Sequence, residues 1–293
     1  MSAGHREDRA VLDDWHVVAD SATLQRRHRV PTPLLGKVLS LAIDADGIAC
    51  ARLGSRLLPT VQRYGLVWTS LGTPRRNIPR FPECEESDRH VVTGGAIGVA
   101  ASGLRAVENF LDMAHFPFVH TGSLGAEPMT EVRPYRVTVT AEDELLIDNC
   151  RFFQPVASPT ATGGIDADYV YKVLRPFTVV LYKTNPVEPD RKDFIALMLQ
   201  PVSEESCIAH SLLAYLKHGI DAPTVRWFMQ MIFGQDKPIL ESQQPKRLPL
   251  DPVAEVSARA DAVSIAYRRW LAASGVRYGA LPAAALGDAA SSA

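Results

Sequence analysis

Apolar residues recur along this chain with two different periods. Between about residues 100 and 115, Leu104, Val107, Leu111 and Ala114 fall at spacings of three and four, the repeat of one helix face. Two further helices are expected near the end, over residues 222–235 and 260–274. Elsewhere the runs are short and β-like: RPYRVTVT, ELLIDNCRFF, DYVYKVL, FTVVLYK, FIALMLQPV and CIAHSLLAYL follow one another with no helix between them. Such a succession implies an antiparallel sheet. Upstream, WHVVAD, then LLGKVLSLAIDADGIACARL with its Asp-Gly turn, then YGLVWTSLG predict a small β unit over residues 13–75. Residues 1–12 read as a disordered arm and 277–293 as an Ala- and Ser-rich disordered tail, with a larger unit spanning 76–276. Residues 74–92, proline-rich and charged, read as the crossing loop between the two units. The fold class is therefore α+β.

A length of 293 residues suits about two domains, and 46% hydrophobic with 22% charged residues is the balance of a soluble globular protein. The net charge of −2 leaves no footprint for nucleic acid or an anionic membrane surface. No apolar run approaches the roughly 20 residues that span a bilayer. The N-terminus is too polar for a signal peptide, so the expected location is the cytoplasm. Cys50, Cys84, Cys150 and Cys207 form no Cys-x-x-Cys pair and read as scattered apolar side chains without disulfides. The basic run Gln25-Arg26-Arg27-His28-Arg29 has two readings, a dock for an acidic electron carrier or a solvated strand or turn face.

The segment VVTGGAIGVAASGL resembles the glycine turn of short-chain dehydrogenases at Thr93, Gly94, Gly95 and Gly98, but Ala100 replaces the last glycine. A nucleotide-binding reading needs alternating strands and helices afterwards, and consecutive strands follow instead. The glycines are expected to permit a loop or bulge.

Chemistry concentrates in Glu108-Asn109-Phe110-Leu111-Asp112-Met113-Ala114-His115-Phe116-Pro117-Phe118-Val119-His120. Asp112 and His115, three apart, would share a helix face, where the carboxylate could fix the imidazole tautomer. Pro117 should end or bend the helix, letting His120 swing towards the same metal as His115. Two imidazoles and a carboxylate with open positions suit Fe(II). Asp236 is the best third ligand, being placed at the C-terminal end of a predicted helix, where the macrodipole disfavours an unpaired anion. The plain alternatives are a phenylalanine-rich core around two histidines and a solvated aspartate.

The pattern Asn-x2-Asp-x2-His-x4-His, followed about 115 residues later by Asp236-Lys237-Pro238-Ile239-x-Glu241-Ser242-Gln243, resembles the mononuclear iron site of Rieske-type non-haem iron oxygenases. The similarity is greatest to the demethylase branch, notably bacterial methylxanthine N-demethylases. It continues into Asp261–Leu271 and covers about Trp15 to Trp270 with an internal gap. The resemblance implies His115, His120 and Asp236 as Fe(II) ligands, Asn109 as a supporting neighbour, and Asp112 as the electron-transfer bridge to a donor in a neighbouring subunit. It implies a helix-grip (START-like) catalytic unit over 76–276, its sheet curled around the final helix. The implied activity is O2-dependent hydroxylation of a methyl group. On a nitrogen this is N-demethylation with release of formaldehyde, most simply from a methylxanthine-like heterocycle. O-demethylation or ring hydroxylation of an aromatic acid, a non-catalytic subunit and a ligand carrier are the alternatives.

Intact members carry Cys-x-His and Cys-x2-His for a [2Fe-2S] cluster. This chain has no Cys-x-His, and Cys207-Ile208-Ala209-His210 lies within a predicted strand, so no cluster is expected on it. Residues 13–75 then resemble the frame of the Rieske domain with its cluster lobe missing between Leu53 and Thr60. Electrons are expected from a separate Rieske protein or reductase that uses NAD(P)H, in a trimer-based homo- or hetero-oligomer. Met229, Gln230, Ile232 and Phe233, a turn or two before Asp236, are the expected substrate contacts.

Overall fold

The computed structural model describes residues 8–156, 163–216, 219–251 and 253–282. The N-terminal unit runs α1 (Arg9–Leu12), β1 (His16–Asp20), α2 (Ser21–Arg27), β2 (Arg29–Leu34), β3 (Lys37–Ile43), β4 (Ala49–Leu53), β5 (Arg56–Leu58), β6 (Thr60–Arg63) and β7 (Leu66–Thr69). These strands form two sheets, ordered β1-β7-β6 and β2-β3-β4-β5. The arm expected over residues 1–12 is folded from Arg9 onwards, because Val11 is buried in the main core; residues 1–7 lie outside the described residues. The helix α2 was not expected from the sequence. Asp20 starts it by accepting a hydrogen bond from the Thr23 amide, and Gln25, Arg26 and Arg27 of the basic run occupy its exposed side. Between β4 and β5 the chain reverses through Gly54 and Ser55 alone, with Leu53 facing Arg56. Gly54 takes φ +61°, which a two-residue hairpin requires.

The larger unit adds β8 (Arg89–Val99), α3 (Gly103–Leu111), α4 (Phe116–Val119), β9 (Arg136–Val139), β10 (Leu145–Gln154), β11 (Ile165–Arg175), β12 (Thr178–Thr184), β13 (Lys192–Ser203), β14 (Ser206–Leu216), α5 (Ala222–Ser242), β15 (Leu248–Pro249), α6 (Ala262–Ala273) and β16 (Ala280–Leu281). Seven strands form one sheet ordered β8-β14-β13-β12-β11-β10-β9, antiparallel at every step. All six β-like runs read from the sequence lie in it. The glycine segment is β8 itself, and its pairing with β14 slips by one residue between Ser211 and Leu212, where Gly95 takes φ +87°.

The helix α3 is buried along most of its length and is capped by Ser102, whose hydroxyl accepts from the Leu104 amide. It packs against β12, β13 and β14. The final helix α6 packs over β9 and β10 instead, so the helix held at the centre of the sheet is α3. The long α5 lies along the open edge of β8. Arg226 Nε, Gln230 Nε2 and Lys237 Nζ donate to the Thr93, Gly94 and Gly98 carbonyls at 2.7–2.8 Å. These side chains satisfy an edge that would otherwise invite another strand. The helix continues past the expected end at Gln235 to Ser242, with Pro238 inside it. Leu240, fully buried in the main core, gains from this continuation what the missing proline donor costs. The expected tail is ordered as far as residue 282, since Leu248 and Pro249 pair with Ala280 and Leu281; residues 283–293 are outside the description.

The two units share one core. Leu34, Leu39 and Leu41 pack in the same buried cluster as Leu104, Phe177 and Leu199. The Leu35 and Gly36 amides donate to the Pro201 and Val202 carbonyls. Among the described residues no helix is long and apolar enough to cross a membrane.

Candidate metal centre

Helix α3 ends at Leu111 because the Asp112 side chain turns back on the chain and accepts from the Ala114 amide at 2.8 Å. Asp112 and His115 therefore do not share a helix face, as their spacing had suggested. The tight turn brings them together all the same, with Asp112 Oδ2 2.9 Å from His115 Nδ1. The short α4 begins at Phe116 with Pro117 in its first turn, and His120 closes it. This half-turn reversal carries His120 Nε2 to 3.2 Å from His115 Nε2. From α5, Asp236 Oδ1 comes within 3.0 Å of His120 Nε2 and 3.3 Å of His115 Nε2. Asp236 sits mid-helix, six residues before the end, so the helix dipole is not what sets its environment.

Proton positions follow from the partners. Asp112 can only accept, so in its neutral form His115 carries its proton on Nδ1 and presents a lone pair at Nε2. His120 Nδ1 likewise donates to Gln235 Oε1 at 2.8 Å, which again frees Nε2. The sequence reading missed Gln235; its position beside Asp236 on α5 was the available signal. Asn109 contributes its backbone carbonyl to the turn by accepting from the Asp112 amide, and its side chain lines the cavity beside His115.

Charges in the site compensate one another. Burial alone would lower the His115 pKa, but the Asp112 and Asp236 carboxylates beside it outweigh that and push it up to about 9. Burial would raise Asp236, yet the two imidazoles bring it down to about 2. The protein alone thus holds a proton where a cation would sit.

Do these residues fit a metal? Asp236 Oδ1 is close to both imidazoles but in hydrogen-bonding orientation with neither. The three donor atoms gather within 3.0–3.3 Å of one another. Bonds of about 2.1 Å meeting at right angles would set donor atoms about 3.0 Å apart, close to the spacings found here. Two neutral nitrogens and one carboxylate on one side, with the other side open to a cavity, form the donor set of a non-haem Fe(II) site. Among the described residues, His115, His120 and Asp236 are the one group of three or more His, Cys, Asp or Glu whose ligand atoms gather within 4.8 Å. Cys207 and His210 face opposite sides of β14: the cysteine packs in the main core, and His210 Nε2 bonds Gln200.

The cavity over this site has a volume of about 210 Å³. One wall is helical, made by Phe110 and Phe116 and by Met229, Ile232 and Phe233 of α5. The other is the concave sheet face, including Gln154, Tyr169, Tyr171, Leu181 and Lys183. Three of the four expected substrate contacts thus line the cavity. Gln230 does not; its amide is committed to the Gly94 carbonyl. On its other side the site reaches the surface through Asp112, whose side chain is 28% exposed. Asp112 opens there onto a shallow polar cleft shared with Glu108, Gln243, Glu255 and Arg268. Beneath that cleft Glu108 bonds Arg268 at 2.7 and 3.0 Å, while Arg105 and Arg268 both reach Glu255, locking α3 to α6.

A family model for the vanillate O-demethylase oxygenase C-terminal domain matches residues 99–276. A probable methylxanthine N7-demethylase, NdmC, of Pseudomonas sp. (strain TJI-51) is 46% identical over 278 residues, covering 94% of this chain and 98% of that protein. The methylxanthine N1-demethylase NdmA of Pseudomonas putida is 28% identical over 226 residues, 72% of this chain and 58% of that relative. Among solved structures, Pseudomonas putida CBB5 NdmA with caffeine superposes with a TM-score of 0.74 at 22% identity, covering 90% of this chain and 91% of that one. Dicamba monooxygenase bound to dicamba gives 0.70 at 17% identity, covering 90% and 97%. These two show the same fold.

Proposed function

The chain belongs to the Rieske-type non-haem iron oxygenases and is an oxidoreductase; from that premise we propose that it is the iron-bearing component of a methylxanthine-type N-demethylase. His115, His120 and Asp236 would hold Fe(II). The observation that carries this reading is the gathering of three donor atoms, 3.0–3.3 Å apart, at the floor of a largely apolar cavity. Support for the substrate class comes from the 46% identity to a relative described as a probable methylxanthine N7-demethylase.

Bound iron supplies activation of O2 and hydroxylation of a methyl C–H bond. The chain's residues create the conditions for it. Asp112 and Gln235 lock both imidazole tautomers, keeping the nitrogen lone pairs on the metal side. Phe110, Phe116, Ile232 and Phe233 keep the reacting region dry and orient a flat substrate. A hydroxymethyl group on nitrogen releases formaldehyde and leaves N–H. The two electrons required enter from outside, and we assign Asp112 as their bridge because it links His115 to the surface cleft. Residues 13–75 are proposed as a Rieske-like frame in which the two-residue hairpin at Gly54-Ser55 replaces the cluster lobe. A separate [2Fe-2S] protein fed by NAD(P)H would then be the donor, docking in a hetero-oligomer.

A second reading, O-demethylation of an aromatic acid, draws on Lys183, a cation at the sheet wall of the cavity. Anaerobic loading with Fe(II) should give about one iron per chain. Supply of 7-methylxanthine, O2 and an electron-donor pair should give formaldehyde in step with NAD(P)H oxidation. Full turnover with a cluster-free reductase alone would remove the separate Rieske donor from this scheme, and absence of bound iron would favour a non-catalytic subunit.

A further inference from the structure

On the sheet wall, Gln154, Tyr169 and Tyr171 are all at most 2% exposed, and all line the cavity. Neither Oε1 nor Nε2 of Gln154 has a hydrogen-bond partner among the described residues, and neither tyrosine hydroxyl has one. Such groups are rare in a folded interior because each loses water without compensation. A second glutamine of the same sheet shows the ordinary outcome. Gln200 Oε1 accepts from His210 at 2.9 Å, and its Nε2 donates to Thr32 Oγ1 at 2.8 Å. Gln154 differs in facing the cavity.

We propose that Gln154, with the Tyr169 and Tyr171 hydroxyls further along the same sheet wall, is the specificity-determining contact of the cavity and reads the lactam edge of a neutral planar heterocycle. This rests on the demethylase reading and deepens it to a substrate class. A primary amide offers one acceptor and two donors in a plane, which matches a ring carbonyl next to a ring N–H or N. The hydroxyls stay protonated, since burial pushes both tyrosines well above their ordinary pKa, and so can donate to a second carbonyl. An aromatic carboxylate would need an unmatched cation. Lys183 has its counter-charge in place: it stands directly across from Asp193 in the β12–β13 pairing. Burial lowers this lysine to about 8, and Asp193 acts against that fall.

The test compares wild type, Gln154→Met and Tyr169→Phe as full-length, Fe(II)-loaded, oxygen-free protein. Calorimetric binding is measured for 7-methylxanthine, 4-methoxybenzoate and 1-methylindole, together with Tm. Gln154→Met keeps the volume and removes two unpaired polar atoms, so its Tm should equal or exceed wild type. Its affinity for 7-methylxanthine should fall about 10- to 100-fold, and Tyr169→Phe should cost about fivefold, while 1-methylindole binds all three alike. The proposal is overturned if Gln154→Met binds 7-methylxanthine as wild type does. Equal weakening of both neutral probes with a fall in Tm overturns it too, by marking a structural residue. So does a wild-type protein that prefers 4-methoxybenzoate or binds none of the three. If the binding pattern holds but wild type releases no formaldehyde from 7-methylxanthine with its electron partners, the demethylase reading fails and this contact stands.

Discussion

The two walls of the cavity treat polar groups in opposite ways. On the helical side Asp112, His115, His120, Gln235 and Asp236 form a closed set in which each ring nitrogen has a partner within the set. On the sheet side Gln154, Tyr169 and Tyr171 are buried without partners. The contrast separates preorganisation from recognition. On the proposed reading, the helical wall fixes its imidazoles through Asp112 and Gln235 and leaves open only the atoms that would meet the metal, whereas the sheet wall leaves its hydrogen bonds unmade until a ligand arrives.

The sharpest way to break this contrast is to open the closed side. His120→Ala removes one of three donors and should abolish stoichiometric iron binding and lower formaldehyde release by about a thousandfold or more, read by metal analysis and product assay. Glu108→Ala should come next, as a loss of stability. It strips the buried Arg268 and Arg105 of their central carboxylate, and urea titration should show a loss of about 3–5 kcal/mol.

A third test uses pH away from the metal. Burial lowers His210 to about 4 against an ordinary value of 6.5, so the unfolded chain takes up its proton first. The stabilisation this residue carries as a neutral ring is present above about 6.5 and lost as pH falls towards 4. The loss should reach about 3 kcal/mol, and a His210→Gln variant should flatten that slope in urea midpoints measured from pH 7 to 4.

Smaller effects sharpen the boundary of the closed set. Asp112→Asn and Gln235→Leu each loosen one imidazole without removing a donor atom, and should cost about 10- to 100-fold in iron affinity. Asp112→Asn should in addition slow turnover at saturating iron, which Gln235→Leu should not. Least of all, Gln230→Ala should cost about 1 kcal/mol in Tm-derived stability by freeing α5 from the Gly94 carbonyl. Binding of 7-methylxanthine to it should be unchanged; a clear weakening would return Gln230 to the cavity.

Much of the helical side was legible in the chain. The segment from Asn109 to His120 carries four polar residues of the site within a dozen positions, and the bend at Pro117 was read as what brings the imidazoles together. The α2 helix was missed although Asp20 and Thr23 spell its cap, because the flanking strands dominate the local pattern. Asp236 was singled out by its motif, but its helix was ended too early, at Gln235, whereas it runs on through Pro238 to Ser242 with Leu240 buried.

The sheet side was not legible, for a specific reason. Side chains on a strand alternate, and from Ile147 the inward positions of β10 would be Asn149, Arg151 and Phe153. A bulge in the β10–β11 pairing between Ile147 and Cys150, with Asn149 at φ +58°, reverses that parity. Cys150, Phe152 and Gln154 turn inward instead, and Gln154 becomes a cavity residue. Composition and periodicity by themselves determined an antiparallel sheet with three helices, and two short motifs singled out the residues proposed to grip a metal, since each of these signals lies within a short stretch of chain. Which face of β10 meets the cavity depended on a register shift against β11, its partner in the sheet. Only the folded sheet could decide it, because a one-residue slip costs little locally yet exchanges every side chain that follows.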